Sequence, residues 1–114
     1  MAVSTIMAPS VGNAIFTLPA GQTLTISFSG GASIWGLLVT VYGPQNNTND
    51  QSSLYIVNRY NANTNKITPV LASQTITTSV SGDNFAFTNT GTYGVRVSIV
   101  TLGSESGTMS VSVN

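Results

Sequence analysis

The stretch QTLTISFS, residues 22–29, alternates without a break: Leu24, Ile26 and Phe28 fall on one side, Thr23, Thr25 and Ser27 on the other. Successive side chains of a strand point to opposite faces, so this period of two writes a half-buried β-strand whose outer surface is hydroxyl. The same period recurs along the chain. Residues 92–101 place Tyr93, Val95, Val97 and Ile99 on one face and Arg96 and Ser98 on the other, Met109, Val111 and Val113 alternate with Ser110 and Ser112, and Phe85 and Phe87 flank Ala86. Residues 34–42 are apolar on both faces, with Trp35, Leu37, Val39 and Val41 opposed to Ile34 and Leu38, which predicts a central strand covered on two sides. Segments 14–18, 53–60, 67–71 and 74–80 bring the number of strands to eight or nine.

The punctuation between these segments is turn chemistry. Pro19-Ala20-Gly21, Gly30-Gly31, Gly43-Pro44, Ser81-Gly82-Asp83-Asn84, Asn89-Thr90-Gly91 and the Gly103 to Gly107 stretch supply fixed φ, positive φ or side-chain bonds to the backbone. β-Branched residues dominate the segments and no helical stripe outlasts one turn. Short strands at this spacing predict an all-β fold, an antiparallel β-sandwich of jelly-roll type. The expected organisation is an N-terminal arm, residues 1–13, followed by one sandwich domain, residues 14–114.

Composition bounds the function. Of 114 residues only 5% are charged, three basic and three acidic, against about 25% in an ordinary soluble domain. Arg59, Lys66 and Arg96 are too few and too scattered to neutralise phosphates, so nucleic acid is not an expected partner. With no His and no Cys there is no imidazole base, no thiolate and no soft metal ligand, so neither an enzyme nor a cofactor is expected. The longest apolar run, residues 34–39, is broken by Gly36 and far too short for a membrane helix, so no membrane partner is expected. Met1 to Ala14 lacks a basic leading region and does not read as a signal peptide. In place of charge stand 16 Thr, 15 Ser and 11 Asn, beside a 41% hydrophobic fraction that is too high for a disordered chain.

Individual residues carry two readings each. Trp35 sits in the most apolar strand, where it is a core residue needing one buried acceptor for its indole N–H; the other reading is a sugar-stacking platform. Asp83, between Gly82 and Asn84, is a turn residue, since Asp50 and Asp83 are too far apart to build an oxygen cage for Ca²⁺. The strand between the polar stretches 43–52 and 61–66 carries Tyr55, Arg59 and Tyr60, residue types enriched where proteins meet. Tyr55 and Arg59 share one face and Tyr60 the other. With the apolar N-terminal residues Val3, Ile6, Met7 and Val11, the pair Tyr55 and Arg59 makes up the candidate interface; the plain alternatives are solvated loops and a frayed tail.

Residues 16–28 (FTLPAGQTLTISF), 91–97 (GTYGVRV) and 107–113 (GTMSVSV) together resemble prepeptidase C-terminal and carbohydrate-binding jelly rolls, in which a strand after P-A-G is answered by G-T-Y-x-V-x-V and a closing G-x-x-x-V strand. That resemblance implies a glycan-binding module, for which the residues themselves offer an aromatic such as Tyr55 or Tyr60 as platform. In its short, Cys-free, Thr/Ser/Asn-rich β character the chain also resembles bacteriophage head decoration and head-fibre proteins, which implies a structural protein on the exterior of a virion, with copies of itself and a major capsid or other virion protein as partners. Zero net charge favours the second expectation, because a weakly repelling, apolar chain tends to associate.

Overall fold

The computed structural model describes residues 3–9, 12–43, 51–61 and 63–114, and among them every regular element is a strand. Ten strands follow in chain order: β1 Val3–Met7, β2 Asn13–Leu18, β3 Thr23–Ser29, β4 Trp35–Gly43, β5 Gln51–Arg59, β6 Lys66–Leu71, β7 Ile76–Ser81, β8 Asn84–Asn89, β9 Val95–Ser104 and β10 Thr108–Val113. They form two five-stranded sheets, β1-β10-β3-β8-β7 and β2-β9-β4-β5-β6. All pairings are antiparallel. Set aside the β6 and β7 edge strands and the rest alternate between sheets as 1-10-3-8 and 2-9-4-5, the double wind of a jelly roll.

The alternating residues meet in the middle. From the first sheet come Leu24, Ile26 and Phe28, Phe85 and Phe87, and Met109, Val111 and Val113; from the second, Trp35, Leu37, Val39 and Val41, and Val95, Val97 and Ile99. Phe28 lies between Trp35 and Phe85, with ring centroids 5.3 and 5.6 Å away, the second edge-on, the arrangement that aromatic quadrupoles favour. The Trp35 indole N–H donates to the Ser106 carbonyl at 2.8 Å, which supplies the acceptor its burial demands. Gly107 follows with φ +90, and a Cβ there would sit 2.4 Å from the Ala32 Cα, so only glycine lets this loop close over Trp35.

Three expectations change. Ten strands form because Val3–Met7, set apart by sequence as part of an arm, is paired along its length with β10. The strand in 34–42 is central in its sheet as expected, but it is covered on one side only: Leu38 is half-buried on the outer face and Ile34 is exposed ahead of β4. Tyr93 does not join the inward row of Val95, Val97 and Ile99, since β9 begins at Val95 and Tyr93 lies exposed in the preceding bend. That bend is held by Asn89, fully buried, whose amide donates to the Leu18 and Tyr93 carbonyls while its Oδ1 accepts from Gly91 N at 3.0 Å.

Candidate functional site

The outer faces of the two sheets differ in chemistry. On the first, the outward positions are Thr23, Thr25, Ser27 and Ser29 on β3, flanked by Thr108, Ser110 and Ser112 on β10 and Ala86 and Thr88 on β8. Neighbouring strands bring hydroxyls opposite one another, and Thr23 bonds Thr88 at 2.8 Å and Ser29 bonds Thr108 at 2.9 Å. Cross-strand pairs of this kind stabilise a sheet while leaving its surface wet.

On the second sheet the register lines up apolar side chains. One row across all five strands reads Asn13, Val100, Leu38, Ile56, Thr68, and the next reads Ile15, Ser98, Thr40, Leu54, Leu71. Leu102 stands beside the first row, at the bulge opposite Gly36, where its Cβ lies within 3.9 Å of the place a Gly36 side chain would occupy. Ile15, Leu71, Leu102 and Ile56 keep 60%, 59%, 57% and 41% of their surface exposed. Isolated exposed apolar residues are ordinary, but a contiguous apolar field on a sheet face marks a contact surface. Charge enters this face through Arg96, level with Tyr42 on β4, and Lys66, level with Asn58 on β5, at diagonally opposite corners.

The residues singled out by sequence are not gathered on this face. Val3 and Met7 are exposed together at the β1 edge of the first sheet, while Ile6 between them turns inward against the core. Val11 lies outside the described residues. Tyr55 and Arg59, expected on a partner-facing surface, point into the molecule, 2% and 8% exposed. The Tyr55 ring meets Phe87 edge-on and its hydroxyl accepts from Ser73 N at 2.9 Å.

Arg59 is a strut between the sheets. From the end of β5 its Nε and Nη2 donate to the two carboxylate oxygens of Asp83, both at 3.1 Å, and Asp83 belongs to the β7–β8 turn of the other sheet. Its Nη1 donates to the Ala32 and Ser33 carbonyls. This two-point fork is the geometry in which guanidinium and carboxylate pair best. The Arg59 hydrogen bonds, aided by the Asn65 amide and opposed by partial burial, hold the Asp83 carboxyl below its ordinary value of 3.8. Asp83 is therefore a turn residue as expected, with an inter-sheet role that its sequence neighbours do not reveal.

The apolar row on the second sheet is found by sequence reading only in part: residues 34–42, Leu38 included, read as apolar on both faces, but their alignment with Val100 and Ile56 is not marked. Its signal is present as faults in alternation: Leu38, Leu54, Ile56 and Val100 occupy positions of the parity that elsewhere holds Ser and Thr.

An antiparallel jelly-roll sandwich with one hydroxyl face and one apolar face is the class of protein that fold and surface define. Neither a family model nor a curated protein matches the chain. Among solved structures, the tailspike protein of Acinetobacter phage vB_ApiP_P1 is similar over 91% of this chain and 22% of its own length, with 14% identity and a TM-score of 0.44. The chain thus spans about a fifth of that protein, and a likeness at this level carries no argument about function.

Proposed function

We propose that the chain is a non-enzymatic structural protein on the exterior of a virus particle, a bacteriophage capsid decoration protein or a close equivalent, that works by packing against copies of itself and against a shell protein. The observation that carries the reading is the apolar outer row Val100, Leu38 and Ile56 on a chain of zero net charge. A free monomer exposing such a row has little charge repulsion to keep it dispersed, whereas incorporation into an assembly covers it. Contacts of this apolar and hydroxyl kind are also weakly screened by salt, which suits a particle exposed to changing media. The non-enzymatic part of the reading is supported by composition: the sequence holds no His and no Cys, and Asp83, one of its three acids, is paired with Arg59.

The test is incubation of the purified chain with particles stripped of their exterior proteins, followed by sedimentation. Saturable binding at a fixed number of copies per particle supports the reading; failure to bind any particle, with the fold intact by circular dichroism, refutes it. The glycan-binding alternative is weakened by the burial of Tyr55, so that of its two named platforms only Tyr60 is exposed.

A further inference from the structure

We infer that the outer face of the second sheet is a self-association surface, on which a second copy of this chain packs sheet to sheet about a two-fold axis. The inference deepens the proposed function by naming the face and the partner, and it takes from that reading only that the chain works by association.

The size of the face is the first argument. Strands of six, ten, nine, nine and six residues make up the sheet. At about 3.4 Å per residue and about 4.8 Å between strands, they present roughly 600 Å². Two such faces together cover about 1,200 Å², the lower end of the range for specific, stable interfaces and above what packing accidents bury.

Its chemistry is the second. Outward positions of β4 and β5, from Leu38, Thr40 and Tyr42 to Leu54, Ile56 and Asn58, carry no charge. A charged partner would surrender hydration over Leu38 and Ile56 without gaining a counter-ion. A second copy brings the same apolar row, and the diagonal placement of Arg96 and Lys66 keeps like charges at the rim instead of the centre. Two sheets of equal twist can then stack face to face at the usual spacing of about 10 Å.

Competing surfaces of this chain are less suited. The hydroxyl face would lose hydration at each Ser and Thr left imperfectly paired, and its exposed apolar residues, Val3 and Met7, stand on the β1 edge with Thr5 between them, not at its centre. Edge-to-edge extension beyond β6 meets Pro69, which has no N–H to offer, and Lys66, both of which discourage strand addition.

The experiment uses the chain's lack of cysteine. Single-thiol variants Ile56→Cys and Ser110→Cys mark the apolar and hydroxyl faces with small changes, and thiol labelling rates are measured across a protein dilution series alongside mass by sedimentation. The expected result is a two-chain mass at high concentration, with Ile56→Cys labelling slowed several-fold there and restored on dilution, while Ser110→Cys labels at one rate throughout. Ile56→Glu, checked for fold by circular dichroism, is expected to give the single-chain mass at all concentrations. A wild-type single chain at every concentration overturns the inference, as does a dimer that protects Ser110→Cys and leaves Ile56→Cys open. A chain that is monomeric yet saturates particles removes this face while sparing the proposed function; a dimer through Ile56 that ignores particles does the reverse.

Discussion

The two outer faces of this sandwich are built on the same number of strands and enclose the same core, yet the centre of one is hydroxyl, with Val3 and Met7 exposed only at its β1 edge, and the centre of the other is apolar. On the first sheet Thr25 stands between Ser112 and Ala86; on the second, Leu38 stands between Val100 and Ile56. Folding does not demand the second pattern, because the inward rows already supply a continuous core and a hydroxyl face suffices for the other sheet. An apolar field retained where folding has no use for it is best explained by what it meets. The difference teaches that in a chain nearly free of charge, the outward residues of the strands separate the surface kept in water from the surface kept for contact.

The comparison is broken most thoroughly by giving the second face the chemistry of the first. Leu38→Thr, Ile56→Thr and Val100→Thr together retain strand-favouring residues and are expected to leave the fold intact. With each losing about 1.4 kcal/mol of contact, or about tenfold in affinity, the triple variant is expected to associate about a thousandfold more weakly by sedimentation equilibrium.

Next in size is the strut that fixes the faces relative to one another. Asp83→Asn keeps one acceptor oxygen for Arg59 but removes the negative charge and the second arm of the fork; with Asp83 41% exposed, the expected loss, read by denaturant unfolding, is about 1.5 kcal/mol, the lower end for a hydrogen bond to a charged group. The pH dependence has a definite sign. Because the folded carboxyl titrates below its ordinary 3.8, its stabilising contribution is present above that value and drains away as pH falls through the lower folded one. Wild type is therefore expected to lose stability below pH 3.8 more steeply than Asp83→Asn, measured as melting temperature against pH.

The smallest effect lies under the second face. Thr101, in β9, is fully buried, and among the described residues its hydroxyl finds no partner. Thr101→Val replaces that hydroxyl with a methyl group of similar size and is expected to raise stability by about 1 kcal/mol without altering association, as read by unfolding and mass together.

How far the molecule can be read from its sequence depends on how each residue is held. Leu24, Ile26 and Phe28 declare themselves by alternation, because a strand with one wet face needs nothing but its own pattern to be recognised. The turn at Asn89 is equally plain, since its side chain bonds backbone two residues on. β5 is different: Tyr55, Val57 and Arg59 have one parity and Leu54, Ile56 and Asn58 the other, both largely apolar, so parity groups the residues correctly without saying which group is inside. The choice is made at a distance, by Asp83 and by the Ala32 and Ser33 carbonyls, which receive Arg59. β1 is hidden for a related reason. VSTIM has no clean period and becomes a strand through the edge that β10 offers. The apolar field on the second sheet arises only when register sets Val100, Leu38 and Ile56 side by side, and register is a property of the pairing, not of any one segment.

Sedimentation equilibrium of the wild-type chain over a wide concentration range, at low and at high salt, addresses the central claim most directly. An apolar contact between copies predicts a mass that rises to that of two chains with concentration and is unchanged or strengthened by salt. A mass fixed at one chain throughout, or an association that salt dissolves, would contradict it.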